Sequence, residues 1–352
     1  MTIAERRLRH QAITGFPRRT PDGVVSWLGA MQAQEYAAAK WGLGLRMPDG
    51  TTDAKIERWF NEGRILRTHV MRPTWHFVTP LDIRWMLELT APRVQKTMQV
   101  YNRQLELDST TLNRAVATIE RALSDARYLT RLELSEYLGA AGIPAKGQRL
   151  AHITLHAEQE GVICSGPRRE RQFTYALLSD RAPASRRLDR DEALAKLARR
   201  YFKSHGPATI RDFVWWSGLL TADAKRALEM IRTHRAVVDA ETYWWAGDVA
   251  PHPARRRQAV QLLPIYDEYL VAYRDRTAVP HRLTAAPDSS FPHPVVVNGQ
   301  VRGTWRTVRL ANGVRVELSV PTKLTADERR GLTDSVGRYS HFLGVPIAVA
   351  VR

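Results

Sequence analysis

The chain has 352 residues, 44% of them hydrophobic and 25% charged, a balance that excludes a disordered chain and suits two or three folded domains. Lys and Arg outnumber Asp and Glu by 53 to 36, for a formal net charge of +17, which points to an acidic partner, nucleic acid or a membrane surface. The single cysteine, Cys164, excludes an internal disulfide framework and a cysteine-based zinc finger. No apolar run approaches the roughly 18 residues of a membrane span, and the first residues lack the apolar core of a signal peptide, so a cytoplasmic protein with no membrane partner is expected. Of the cations, 45 are Arg and 8 Lys. The planar arginine fork matches phosphate and stacks on bases, although a GC-rich genome also raises the arginine count.

A pattern of helices followed by a β-hairpin recurs three times. The first copy starts at Thr20-Pro21-Asp22, a capped helix start with proline in the first turn. Further helices are expected near residues 35–43 and 52–62, then two β-rich runs meeting at Arg72-Pro73. The second copy opens at Thr130, with Glu133 three residues on, the signature of a capping box. Helices to Ala141 and from about Lys146 to Glu160 precede strands around Ile163 and Thr174, which flank the basic tip Arg168-Arg169-Glu170-Arg171. In the third copy Thr209 and Asp212 repeat the Thr130/Glu133 offset, before a helix over 221–231 and strands at 236–239 and 242–245. Helices plus a hairpin are the plan of a winged helix.

From about Gln258 the pattern becomes short apolar runs, 260–265, 295–297, 314–320 and 347–351, with Asn298-Gly299 and Asn312-Gly313 as hairpin turns. The expected fold is α+β: three tandem winged-helix units followed by a C-terminal β-rich, barrel-like module. The boundaries are 1–128 (first unit and connecting helices), 129–181, 182–257 (third unit with a basic linker) and 258–352. Residues 182–192 and Arg255-Arg256-Arg257 read as linkers, the latter able to touch phosphate.

Candidate chemistry centres on Gln32 and Gln34. Residues at i and i+2 lie about 200° apart on a helix but on the same side of an extended segment. If the two amides cooperate, they sit in a turn or extended connection between helices. An amide is no general base near neutral pH, yet it can hold water and aim its carbonyl dipole at a developing cation. Taken alone, Gln-x-Gln is in most cases an ordinary polar helix junction.

Three segments carry a resemblance: residues 28–46 (LGAMQAQEYAAAKWGLGLR), 67–77 (RTHVMRPTWHF) and 262–276 (LLPIYDEYLVAYRDR). In that order they resemble the winged-helix DNA glycosylase family of AlkZ and YcaQ. The resemblance implies tandem winged helices with a C-terminal β module, excision of N-alkylated purines from double-stranded DNA and unhooking of interstrand cross-links, without a cofactor or metal. It places the catalytic motif on Gln32 and Gln34, the AlkZ-like type, which goes with self-resistance to DNA-alkylating natural products. A monomer acting on alkylated duplex is therefore expected, with Arg67, His69, Arg72, Arg168, Arg169 and Arg171 facing DNA and Trp75 and Phe77 in the core.

Other groups weigh less. Lys40 lies on a different helical face from Gln34, against a Schiff-base step. His152 and His156 have metal-ligand spacing but no third ligand beside them. Glu35 is a candidate base flanked by the glutamines, and Asp267, Glu268 and Asp275 are expected to support the β module. The rival reading is a non-catalytic winged-helix transcription regulator, which would be a dimer preferring one duplex sequence; a protein sequestering a genotoxic small molecule is a third. Whatever the reading, affinity for undamaged duplex is expected to fall steeply with salt. Replacing Arg168, Arg169 and Arg171 together by alanine should flatten the log–log salt dependence by about 0.9 for each phosphate that is no longer neutralised. An unchanged slope in a fluorescence-anisotropy titration would turn this tip away from DNA.

Overall fold

The computed structural model describes residues 2–15, 17–247, 260–279, 293–310, 313–320 and 324–351; the Arg255-Arg256-Arg257 segment lies outside them. The chain opens with α1 (Ile3–His10) and α2 (Pro21–Leu28), whose N-cap Thr20 accepts from the Gly23 amide and whose Pro21 takes the first helical position. A two-residue strand β1 (Met31–Gln32) leads into α3 (Tyr36–Leu45) and α4 (Asp53–Asn61), then the hairpin β2 (Leu66–His69) and β3 (Trp75–Val78). Strand β1 joins the hairpin as a third strand in the order β1-β3-β2, with Met31 opposite Phe77 and Gln32 opposite His76. The long helix α5 (Ile83–Gln104) and α6 (Ser109–Ala122) connect onward.

The second helix-and-sheet unit comprises β4 (Leu129–Thr130), α7 (Arg131–Ala140), α8 (Gly147–Gln159), β5 (Ile163–Ser165) and β6 (Thr174–Leu177), with α9 (Leu178–Arg181) after it. Thr130 and Glu133 form the expected reciprocal capping box. The stretch expected as a linker is irregular only to Asp189. That residue and Glu192 then cap the 15-residue helix α10 (Arg190–Ser204). Two shorter helices, α11 (Ile210–Ser217) and α12 (Thr221–Glu229), and the hairpin β7 (His234–Val238) with β8 (Glu241–Trp245) complete the third unit, again with a Thr209/Asp212 box.

The C-terminal region is not only strands. After β9 (Val260–Leu262), the single-turn α13 (Glu268–Val271), β10 (His293–Val297), β11 (Gln300–Leu310) and β12 (Gly313–Ser319) comes the 18-residue helix α14 (Ala326–Leu343), and then β13 (Ile347–Val351). The described strands form an open five-stranded sheet, β13-β12-β11-β10-β9. Asn298 and Gly299, both at positive φ, turn β10 into β11 as their sequence predicts. Strand β13 pairs with β12 in parallel, the connection that α14 makes possible.

One core runs from the first unit into this sheet, joining Val24, Trp41, Phe60 and Phe77 to Leu262, Val295, Trp305 and Phe342. A second joins the β2–β3 hairpin and α5 to α10, α11 and α12, through Leu66, Met86, Tyr201, Phe202 and Trp216. The second unit keeps a smaller core of its own around Ile119, Leu134, Ile153 and Ile163. The first and C-terminal regions are also bolted by charge. The fully buried Arg46 donates from Nη1 and Nη2 to the two carboxylate oxygens of Asp267, both at 2.8 Å. Breaking a buried pair leaves a bare charge, so Asp267→Ala is expected to cost about 3–5 kcal/mol of unfolding free energy. Urea titration of that variant, beside a double replacement by Met at 46 and Leu at 267 that should retain most of the stability, checks the assignment.

Candidate active site

The Gln-x-Gln segment lies between α2 and α3, and local sequence keeps it extended. Gly29 ends α2 with φ of 90°, a conformation that favours glycine. Beyond it Met31 and Ala33, 1% and 0% exposed, point into the core. Alternation then turns Gln32 and Gln34 to the opposite side, as the expectation of an extended connection requires. Ladder contacts hold the strand in place: the Ala33 amide donates to the Trp75 carbonyl at 2.7 Å. Gln32 is 9% exposed and Gln34 is open to solvent.

Both side-chain oxygens are oriented by the turn of the β2–β3 hairpin. Arg72 Nη2 donates to Gln32 Oε1 at 3.1 Å, and the Trp75 amide donates to Gln34 Oε1 at 3.3 Å. An amide oxygen has two lone pairs, so each keeps one, together with the two N–H donors of its amide. The structure thus brings Gln32, Gln34 and Arg72 together on one face.

Of the other residues expected to face DNA, Arg67 and His69 are 7% and 8% exposed. They lie on β2, behind the site. Arg67 Nε donates to the Ala33 carbonyl at 3.0 Å and Nη2 to the Gln34 carbonyl at 3.4 Å, while its guanidinium packs 4.1 Å over the Trp75 ring. Burial lowers its pKa to about 10, which leaves it charged at neutral pH. His69 is paired through Nδ1 with the buried Glu158 carboxylate and packs on Trp75 with ring centroids 3.9 Å apart. Phe77 is in the core as expected, and Trp75 is half-buried. At the tip of the second unit, Arg168 reaches Glu57 at 3.5 Å, and Arg169 donates to Glu133 at 2.7 Å and to the Tyr128 carbonyl at 2.7 Å. Arg171 is exposed and, among the described residues, holds no carboxylate.

Beneath Gln32 lies a group that sequence reasoning assigned elsewhere. Glu268 does not serve the β module: its Oε1 accepts from the Gln32 amide at 2.7 Å and its Oε2 from Trp216 Nε1 at 2.9 Å, with His205 Nε2 3.4 Å from Oε2. Asp267 binds Arg46 of the first unit in the same way. Burial alone raises the Glu268 pKa, but His205 and the Gln32 amide more than offset it, and the carboxyl is held below its ordinary value. A fixed negative charge therefore sits directly behind the Gln32 backbone. The available signal was the Asp-Glu pair within the third resembling segment; its partner is 236 residues away.

His76, opposite Gln32 in the ladder, is fully buried. Burial, with Arg72 beside it, pushes its pKa down to about 3, so the ring is neutral. Its Nδ1 donates to the Thr74 carbonyl at 2.8 Å, which leaves Nε2 as an acceptor facing Arg72 Nη2 at 3.5 Å. Lys40 is buried and bound to Asp53 at 2.8 Å and Glu57 at 2.7 Å, away from the glutamines. His152 pairs with the Asn102 side chain at 2.7 Å, and no cluster of three or more His, Cys, Asp or Glu suited to a metal occurs among the described residues. Glu35 is the exposed N-cap of α3, Cys164 is buried, and no described helix is long and apolar enough to cross a membrane.

Comparison with known proteins sets this geometry in a family. The profile of the family described as "DNA glycosylase AlkZ-like" matches residues 25–342. An interstrand DNA cross-link repair glycosylase from Streptomyces sahachiroi is 24% identical over 329 residues, covering 83% of this chain and 84% of the relative. The solved structure of the Streptomyces sahachiroi DNA glycosylase AlkZ superposes with a TM-score of 0.81 at 20% identity, covering 99% of this chain and 98% of that one. The match favours an enzyme over the transcription regulator.

Glu268→Gln replaces one acceptor oxygen by an NH₂ group that must face either the Gln32 amide or the Trp216 indole N–H. A buried donor left unpaired costs about 1–3 kcal/mol, and that loss is expected in denaturant titrations. An unchanged midpoint would show that Glu268 does not hold this strand.

Proposed function

The chain belongs to the AlkZ-like DNA glycosylase family, and we propose that it hydrolyses the N-glycosidic bond of N7- or N3-alkylated purines in double-stranded DNA, with Gln32 and Gln34 as its catalytic pair. The observation that carries this reading is the orientation of both glutamine oxygens by donors of one hairpin, Arg72 in its turn and Trp75 at the start of β3. The three helix-and-small-sheet units are read as winged helices that present this strand to the duplex. The name of the cross-link repair relative supports extending the substrate range to interstrand cross-links.

An alkylated purine already carries positive charge, so it leaves without a general acid. What remains is an oxocarbenium-like sugar and an incoming water, the electronic problem of glycoside hydrolysis. The free lone pairs of Gln32 and Gln34 can accept from that water and face the developing cation, and pinned amides need no reorganisation at the moment of reaction. The Glu268 carboxylate behind Gln32 adds a favourable field. His76 cannot supply a proton, because its Nδ1–H is committed to Thr74 and its pKa is about 3. Lys40, held by Asp53 and Glu57, supports simple hydrolysis over a Schiff-base route. Arg72 and Arg171 are read as the cations that meet phosphate, with Arg67 and His69 acting from behind.

Gln32→Ala or Gln34→Ala is expected to slow single-turnover excision by about 10- to 1,000-fold, equal to about 1.4–4 kcal/mol of transition-state stabilisation, with duplex affinity nearly unchanged. Matched oligonucleotides carrying N7-alkylguanine or uracil, with abasic sites read on a denaturing gel, test the chemistry. Excision of the first and not the second is expected. Efficient release of uracil would require a general acid, and wild-type rates in the double alanine variant would remove the glutamines from the mechanism.

A further inference from the structure

Next to Gln32 is a cleft of about 240 Å³, lined by Arg72, Pro73, Arg93, Thr97, Trp215 and Arg274 among others. A cleft of this size takes a small group rather than a large ligand. Three arginines line it, from the hairpin, α5 and the segment after α13, and among the described residues none of their guanidinium groups forms an ion pair with a carboxylate. Arg93 and Arg274 are exposed. Arg72 is mostly buried, and its Nε is fully buried with no hydrogen-bond partner. That N–H is a donor waiting for an acceptor, since an unsatisfied buried donor costs free energy.

Trp215 forms the opposite wall, its ring 5.9 Å from the Arg72 guanidinium. The indole N–H donates to the Val271 carbonyl at 2.9 Å, so the side chain is fixed, yet 45% of the residue stays exposed. The approach of the two walls is set by Gly218, whose φ is 69° and where a Cβ would lie 2.3 Å from the Met71 carbonyl oxygen. A rigid, half-exposed aromatic face beside three unpaired cations matches a nucleotide unit, phosphate against the arginines and sugar or base against the ring.

Arg72 belongs both to the cleft and to the site, since it also donates to Gln32 Oε1. The Glu268 carboxylate acts on this charge from behind Gln32, and the positive charge that remains opposes the cation that develops beside Gln32. We propose that the cleft is a subsite for one phosphodiester of the damaged strand, held by Arg72, Arg93 and Arg274, and that this phosphate offsets the Arg72 charge and so takes part in excision. The inference rests on the glycosylase reading and names a piece of its substrate as part of the catalytic electrostatics.

The test uses duplexes carrying N7-alkylguanine in which neutral methylphosphonates replace, one at a time, the phosphates flanking the lesion. One position is expected to slow single-turnover excision at saturating enzyme by about ten-fold or more, an effect on rate beyond any loss of affinity. The Arg93→Gln, Arg274→Gln double variant, at two exposed positions, should slow the native duplex similarly and add little further on that methylphosphonate duplex, the non-additivity of groups that act on one phosphate. Native rates at every neutralised position, or full additivity with the variant, would overturn the subsite while leaving the glycosylase reading intact. Absence of excision from the unmodified duplex would instead overturn the glycosylase reading, and the subsite with it.

Discussion

Asp267 and Glu268 stand side by side at the start of a single helical turn, and both carboxylates are buried. Taking a carboxylate out of water costs several kcal/mol unless its oxygens find strong donors. Here the donors come from distant parts of the chain: Arg46 for Asp267, and the Gln32 amide with Trp216 for Glu268. The first unit, the third unit and the C-terminal region are thus bound to one dipeptide, and none can move away without leaving an uncompensated charge. This constraint sets the position of the strand that carries Gln32. It also fixes Trp216, which donates to Glu268, and with it the neighbouring Trp215.

Around that strand the charges are divided by depth. Glu268 lies behind the backbone, Arg67 clamps the carbonyls of Ala33 and Gln34, and Arg72 reaches round the front to Gln32. Arginine suits the two latter posts because its fork satisfies several acceptors at once and stays charged even when burial lowers its pKa. The outcome is a pair of neutral amides, one oriented by the Arg72 guanidinium and the other by the Trp75 backbone N–H. In the proposed reaction, glutamines held in this way act through fixed dipoles, which suits a leaving group that is already charged.

The arginine excess divides in the same spirit. Arg46, Arg67 and Arg338 serve the interior, the last donating to the carbonyls of Gly44, Leu45 and Met47 at the end of α3. Arg168 and Arg169 are held by Glu57 and Glu133. A net charge of +17 therefore says that the surface is basic without saying which arginines meet phosphate. Those that do are better sought among the cations without a carboxylate partner, and three of these, Arg72, Arg93 and Arg274, line the cleft beside Trp215.

Local signals in the sequence were sound wherever structure is decided by neighbours along the chain. The boxes at Thr130/Glu133 and Thr209/Asp212 and the Asn298-Gly299 turn follow from hydrogen bonds and φ angles within a few residues. Helices α10 and α14 carried capping boxes of the same kind, at Asp189/Glu192 and Thr325/Glu328, but lay within stretches read as linker and as β module. The roles of Arg67, His69, Arg168 and Glu268 were of another kind. An arginine or a glutamate looks the same in sequence whether it faces DNA or a buried partner. Its environment is set by which segments pack together, and for Glu268 and Gln32 that meant bringing together residues 236 positions apart. The sequence by itself determined the capping boxes and the Asn298-Gly299 turn, and pointed to the two amides proposed to react. Only the tertiary structure decided which charges stand behind them, because burial and pairing are properties of the assembled core and not of the chain that enters it.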